Sequence, residues 1–219
     1  WTLLQGRKKW GYPWQGETKI PTKLPVSAVA KQERGAGYRF TARPRFLTAQ
    51  SLTPTERGNA MHKFMQFADY EMARDNIQKA IERMRTGNFL SPAECESLDE
   101  KRLEQFFHSP LADRIFASGK VYRELKFLAE CGQDILGDLY DRMKESKVVL
   151  QGVADCVFLE GDGAVIVDYK TDRVKTLDEL RERYRLQLEL YKQILADSLG
   201  APVKECVLYS FHLDQAMEI

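Results

Sequence analysis

The 219-residue chain carries 33 Lys and Arg against 32 Asp and Glu, a formal net charge of +1, with 43% hydrophobic and 30% charged residues. That is enough apolar material for the core of one ordinary domain, and so even a charge balance leaves any nucleic-acid contact to a local patch. No apolar run approaches the ~20 residues needed to cross a bilayer, and the first residues lack the apolar stretch of a signal peptide, so the sequence reads as cytoplasmic with no membrane partner.

In chain order, residues 1–49 differ from the rest. They hold Pro13, Pro21, Pro25 and Pro44 and the three tryptophans, Trp1, Trp10 and Trp14. They read as an irregular or extended arm from the preceding part of a longer chain, with one short helix near Ser27–Glu33 that Ser27 would cap. From residue 50 the signals become regular. Met61, Phe64, Met65, Ala68 and Met72 recur at helical spacing and predict one helix over 54–74, and Ile77, Ala80, Ile81 and Met84 predict a continuation over 75–85. Ser91-Pro92-Ala93-Glu94 is a capping-box sequence, so a helix is expected from there to about Phe107, with a short one from Ser109-Pro110 to about Gly119.

The period then changes. Residues 121–130, 148–159 and 163–169 are rich in β-branched and aromatic residues and read as strands, the last two joined by the tight turn Glu160-Gly161-Asp162-Gly163. A long helix capped by Thr176 runs to about Leu199, stopped by Gly200 and Pro202, and residues 203–212 form one more strand. Helices, an antiparallel meander, a long helix and a strand make an α/β domain with helical additions at its N-terminal side.

Asp155 lies within one predicted strand and Asp168 ends the next, with Lys170 two residues on. A hairpin brings the two aspartates side by side. Strand alternation sends Asp168 and Lys170 to one face and Tyr169 to the other. An unpaired carboxylate between Val153 and Val157 is costly if its face is buried, so Asp155 has a reason to be there. Two carboxylates and a lysine suit a hard divalent cation plus a substrate phosphate, with the lysine orienting or deprotonating an attacking water. Cys95, Cys131, Cys156 and Cys206 are scattered without a C-x-x-C pair, which points to reduced thiols and against an iron–sulfur cluster.

Gly152-Val153-Ala154-Asp155 followed by Asp168-Tyr169-Lys170-Thr171-Asp172 resembles the core of the PD-(D/E)XK nucleases in their RecB form. Gln187-Leu188-Glu189-Leu190-Tyr191 is similar to the Q-x-x-x-Y element of that form, and Arg57-Gly58-Asn59-Ala60-Met61-His62 to its upstream histidine helix. Together they resemble the C-terminal nuclease domain of the AddA family of helicase–nuclease subunits. The resemblance implies a restriction-endonuclease-like core, a mixed sheet with an antiparallel meander flanked by helices, over residues 50–219.

It further implies that Asp155, Asp168 and Lys170 are catalytic. Metal would be held by His62, Asp155, Asp168 and the backbone carbonyl of Tyr169, with Glu124 completing the shell or serving a second ion. Gln187 and Tyr191 would position DNA. Arg173 and Lys175, next to the site, are expected phosphate contacts, while Arg39, Arg43 and Arg45 cluster in the arm. The implied cofactor is Mg2+, with Mn2+ able to substitute because one ligand is an imidazole. The implied setting is double-strand break repair: an ATP-driven helicase before this segment, an AddB-type partner in a heterodimer, and hydrolysis of the 3′-terminated strand of DNA. No phosphate-loop motif occurs here, so ATP belongs to the helicase part alone. A free-standing RecB-like exonuclease, or a non-catalytic DNA-binding or docking module, remain as alternatives.

Overall fold

A computed structural model of the chain describes residues 23–32, 52–132 and 148–219. Arg39, Arg43, Arg45 and the three tryptophans lie outside these. A short strand β1 (Lys23–Pro25) leads into α1 (Val26–Gln32). Six helices follow: α2 (Pro54–Phe67), α3 (Tyr70–Asp75), α4 (Ile77–Thr86), α5 (Pro92–Glu96), α6 (Glu100–Phe107) and α7 (Pro110–Ala117). Then come β2 (Val121–Cys131), β3 (Val148–Glu160), β4 (Gly163–Lys170), α8 (Leu177–Leu199), β5 (Val203–Ser210) and β6 (Gln215–Glu218).

Local chemistry explains most of these boundaries. Thr53 and Ser91 each accept a bond from the N3 amide while Glu56 and Glu94 reach back, closing two capping boxes. The helix expected over 54–74 is broken: Ala68 turns extended, and the Asp69 carboxylate accepts from the Met72 amide to start α3. The helix expected from Ser91 to Phe107 breaks likewise, with Asp99 capping α6. Ser27 lies inside the first turn of α1 and so does not cap it. Thr176 stands at the N-cap of α8 without a side-chain cap bond, and Gly200 ends α8 in the left-handed conformation, φ 62°. The strand expected over 203–212 stops at Ser210 and returns as β6.

The six strands form one mixed sheet. β2, β3 and β4 make the antiparallel meander, and α8 carries the chain across to β5, which pairs parallel with β4. β2 covers one edge of β3 over its length. The other edge is shared: β1 pairs with Val149–Gln151 and β4 with Cys156–Glu160. Residues 152–155 of that edge therefore face neither strand. Helices α2–α7 pack on one face of the sheet through Phe64, Phe106 and Phe107 against Phe158, Val167, Tyr169 and Tyr209. Helices α1 and α8 cover the other face through Val26, Leu188, Tyr191 and Leu195 against Leu150, Val157, Ile166 and Leu208. The two layers bury β4 and most of β5, the strands that form the parallel pair, while β1, β2 and β6 stay partly exposed.

Candidate active site

The open stretch of β3 is where the chemistry gathers. Register places Glu124 of β2 directly across from Asp155, between the pairs Arg123↔Cys156 and Leu125↔Ala154. Both strands lose their alternation at this point. Ala154 and Val157 join the same core although they are three residues apart, and so do Tyr122 and Leu125. Glu124 takes φ 53°, a left-handed conformation that costs a non-glycine residue on the order of 1 kcal/mol and clusters at functional sites. Two carboxylates across a strand pair repel, so the fold holds an arrangement that is unfavourable until something positive comes between them.

Helix α2 supplies the third group. Gly58 lets the helix approach the end of β4 so closely that an added Cβ would meet Thr171 Oγ1 at 3.0 Å. One turn on, His62 Nδ1 lies 3.3 Å from Asp155 Oδ1. Burial disfavours the charged imidazole, but the hydrogen bond and charge of Asp155 outweigh it, and the His62 pKa is raised. Burial and Asp155 together also raise the Glu124 pKa. Ligand atoms of His62, Glu124 and Asp155 all lie within 4.8 Å of one another. Among the described residues this is the one such convergence of His, Cys, Asp or Glu side chains.

Asp168 stands beside this trio rather than in it. The residue is 2% exposed. Oδ2 lies 2.6 Å from Lys170 Nζ, an ion pair off hydrogen-bond angle. Burial raises the Asp168 pKa, with Asp155 adding to the effect and Lys170 opposing it. The Lys170 pKa is raised despite burial, because Asp168 and Asp155 favour its charge, and its Nζ sits 3.9 Å from the centroid of the Tyr184 ring. Tyr169 points away, its ring packed edge-on against Phe106 at 5.4 Å, while its amide donates to Asp155 Oδ2 at 2.8 Å. That bond replaces the strand pairing that β4 abandons there.

Helix α8 closes the site from the opposite side. Gln187 Nε2 donates to Asp168 Oδ1 at 3.4 Å and to Tyr191 Oη at 3.1 Å, and Tyr191 Oη donates to the Val153 carbonyl at 3.0 Å. One helix face thus ties β4 to the open edge of β3. Tyr191 also belongs to the apolar core, so core packing and site support are not alternatives for it. Arg173 and Lys175 lie on the loop between β4 and α8, with both side chains exposed. Arg183 is engaged with Asp172 at 2.8 Å. His108 bonds the Glu104 carbonyl and His212 bonds Arg102, both away from the site.

The sequence profile of the PD-(D/E)XK nuclease superfamily matches residues 33–217. The chain belongs to that superfamily. Curated relatives bearing the name of the A-type polypeptide of an ATP-dependent helicase/nuclease are similar along nearly the whole chain. The protein of Clostridium kluyveri is 31% identical over 97% of this chain, that of Acetivibrio thermocellus 34% over 94%, and that of Desulforamulus reducens 35% over 99%. The chain spans 18% of the length of each. The mixed sheet between helical layers is the restriction-endonuclease-like fold of PD-(D/E)XK nucleases, and a nuclease, a hydrolase of phosphodiester bonds, is what the family match makes this domain. Among the described residues no helix is long and apolar enough to cross a membrane.

The donor set fits a hard divalent cation: two carboxylates and an imidazole converge, and a buried Asp168 oxygen lies next to them without a hydrogen-bond donor in good alignment. Sequence spacing pointed to Asp155, Asp168 and Lys170, and only the family resemblance pointed to His62, Glu124, Gln187 and Tyr191. The contribution of the Val153 carbonyl, which anchors Tyr191, had no signal in the sequence.

Proposed function

We propose that the domain hydrolyses DNA phosphodiester bonds with Mg2+, Mn2+ serving in its place, and that Asp155, Asp168 and Lys170 carry the reaction. The observation that supports this most is the facing pair Glu124 and Asp155 beside His62, two carboxylates brought together against their own repulsion. His62, Glu124 and Asp155 would hold the ion, with Asp168 and the Tyr169 carbonyl as further ligands. Such an ion, when bound, supplies Lewis acidity toward the scissile phosphate and lowers the pKa of water.

The chain's own groups do the rest. Lys170, whose charge Asp168 and Asp155 favour, orients the attacking water and offsets negative charge on the phosphate. Asp168 and the Tyr184 ring fix its ammonium in place. Gln187 and Tyr191 hold Asp168 and the edge of β3 at a constant separation. Arg173 and Lys175 reach phosphates flanking the scissile one. The water oxygen bonds to phosphorus as its proton passes to solvent, and the P–O3′ bond breaks in line, the 3′-oxygen taking up a proton from solvent water.

In the whole protein the domain would be the nuclease of an AddAB-type helicase–nuclease, cutting the 3′-terminated strand during double-strand break repair in the cytoplasm. In this reading residues 50–219, with β1 and α1 of residues 23–32 added to their sheet and core, form the nuclease unit, and the remainder of residues 1–49 joins it to a helicase part where ATP is used. The partner would be an AddB-type protein in a heterodimer. Cleavage of linear DNA by purified chain, compared with Asp168→Ala and Lys170→Ala, tests the core of the proposal. Each substitution is expected to lower turnover on the order of 10³-fold in protein shown to be folded; full activity in either removes that residue from the mechanism.

A further inference from the structure

One face of α8 meets the site at three successive points. Tyr184, Gln187 and Tyr191 follow at three- and four-residue spacing, and they reach Lys170, Asp168 and the Val153 carbonyl in turn. The first contact is made by a ring face and not by a hydrogen bond: Lys170 Nζ lies 3.9 Å from the Tyr184 centroid. The same ammonium lies 2.6 Å from Asp168 Oδ2. The Lys170 backbone is fixed, its carbonyl accepting from the Phe211 amide at 2.9 Å. Its four-carbon stem is flexible, so where the ammonium stands depends on what holds the tip.

The ring is itself aimed. Tyr184 Oη donates to the Asp172 carboxylate, whose oxygens lie at 3.1 and 3.3 Å, and Arg183 donates to Asp172 Oδ1 at 2.8 Å. Asp172 stands on the loop that leaves β4, and Val174, two residues on, anchors that loop in the core beside Leu180. Burial raises the Tyr184 pKa, with Lys170 opposing and Asp172 adding to the effect, so the phenol keeps its proton and donates it to Asp172. A phenol bonded to a carboxylate is polarised toward a more negative ring face, which draws a cation more strongly. The two partners of the ammonium are therefore of different kinds. A carboxylate that gives an oxygen to a divalent cation holds a lysine less strongly, because its charge is then shared. A ring face is no ligand for a hard cation, and its hold on the lysine persists.

We propose that Asp172 and Tyr184 form a seat for the catalytic lysine: Asp172 aims the ring, and the ring keeps the Lys170 ammonium in place when Asp168 turns to a divalent cation. Both are positioning residues that act through Lys170. The catalytic consequence rests on the nuclease reading of the site.

The test combines cleavage of linear DNA with the NMR signal of the Lys170 ε-methylene, assigned by its loss in Lys170→Met. Tyr184→Leu, which removes the ring, is expected to lower kcat about tenfold with KM within about twofold. Added to Lys170→Met it is expected to cost nothing further, because a seat has no work without its occupant. Asp172→Ala and Tyr184→Phe, which leave the core packing in place, should each lower kcat about threefold and cost no more together, while Asp172→Asn, which still accepts the phenol hydrogen, restores the parent rate. Protons over an aromatic face are shifted upfield by its ring current. The Lys170 signal is therefore expected upfield in the parent, still upfield after Mg2+ is added, and at the ordinary lysine position in Tyr184→Leu. Equal losses from Tyr184→Leu with and without Lys170, or a parent signal that is ordinary or becomes so with Mg2+, overturns the inference. A parent that does not cut, with its Lys170 signal upfield through the Mg2+ addition and released in Tyr184→Leu, supports the seat and removes the nuclease reading instead.

Discussion

Asp155 and Glu160 lie on the same strand, β3, yet the two sit in opposite electrostatic situations. Around Glu160 the charges close on themselves. Arg114 donates to both oxygens of Glu160 at 2.9 Å and to both oxygens of Glu205 at 2.9 and 3.0 Å, and Lys204 donates to the Glu160 carbonyl. Each oxygen of Glu160 and Glu205 thus accepts a guanidinium hydrogen bond, and Lys204 also pairs with the exposed Asp162 at 3.1 Å. Around Asp155 three carboxylates, Glu124, Asp155 and Asp168, share one lysine and one imidazole in a setting that is mostly buried. Acids outnumber bases in the first cluster too, but its carboxylates are open to water, Asp162 most of all. The second cluster holds its acids buried, where water cannot screen them, and binding a cation is the chemical use of such an arrangement.

Substitutions in each of the two clusters can break this contrast. The largest effect on stability is expected at Lys170. Replacing it by Met leaves Asp168 buried without its counter-charge among Asp155, His62 and Gln187, which costs about 3 kcal/mol in metal-free buffer. Asp168 already has a raised pKa in the folded state, so folding gains a proton there. Stability from that proton is present at low pH and is lost as pH rises through the folded pKa. The Lys170→Met loss should therefore be smaller at pH 5 than at pH 8 by thermal unfolding; an equal loss at both would show that Asp168 is not the group left exposed to the change.

A smaller effect is expected from Arg114→Met. Its pairs are bidentate but about a third exposed, so the cost is about 1 kcal/mol, with nuclease turnover of the folded protein unchanged. Loss of turnover in this variant would mean that the two clusters are coupled along β3. The smallest change is expected from Glu124→Gln. It removes the repulsion across from Asp155 and should stabilise the metal-free chain by a few tenths of a kcal/mol, measured by urea unfolding. Destabilisation would show that Glu124 is held by a favourable contact instead.

The sequence made the two ends of β3 unequally legible. Asp155, Asp168 and Lys170 stand out because charged groups interrupt strands that are otherwise β-branched, and the Gly161-Asp162 turn fixes which residues face each other. The long α8 was visible from its period and its glycine stop. Breaks at Ala68 and at Ser97–Asp99 were not, since the apolar repeat runs through both, although Asp69 and Asp99 are the capping residues that mark them. β6 was missed because Gln-Ala-Met-Glu has no strand signature and is held by pairing with β5. The left-handed turn at Glu124 has no local signal at all. It follows from the contact of β2 with β3, a pairing between residues far apart in sequence.

The central claim is that His62, Glu124 and Asp155 form a site for a divalent cation. The most direct measurement is the melting temperature of the chain as Mn2+ is added, compared with Asp155→Asn. A cation bound to the folded state alone raises the melting temperature in proportion to the logarithm of its concentration above the dissociation constant. The parent is expected to show that rise and Asp155→Asn to lose it. The same rise at the same Mn2+ concentrations in both proteins would contradict the assignment.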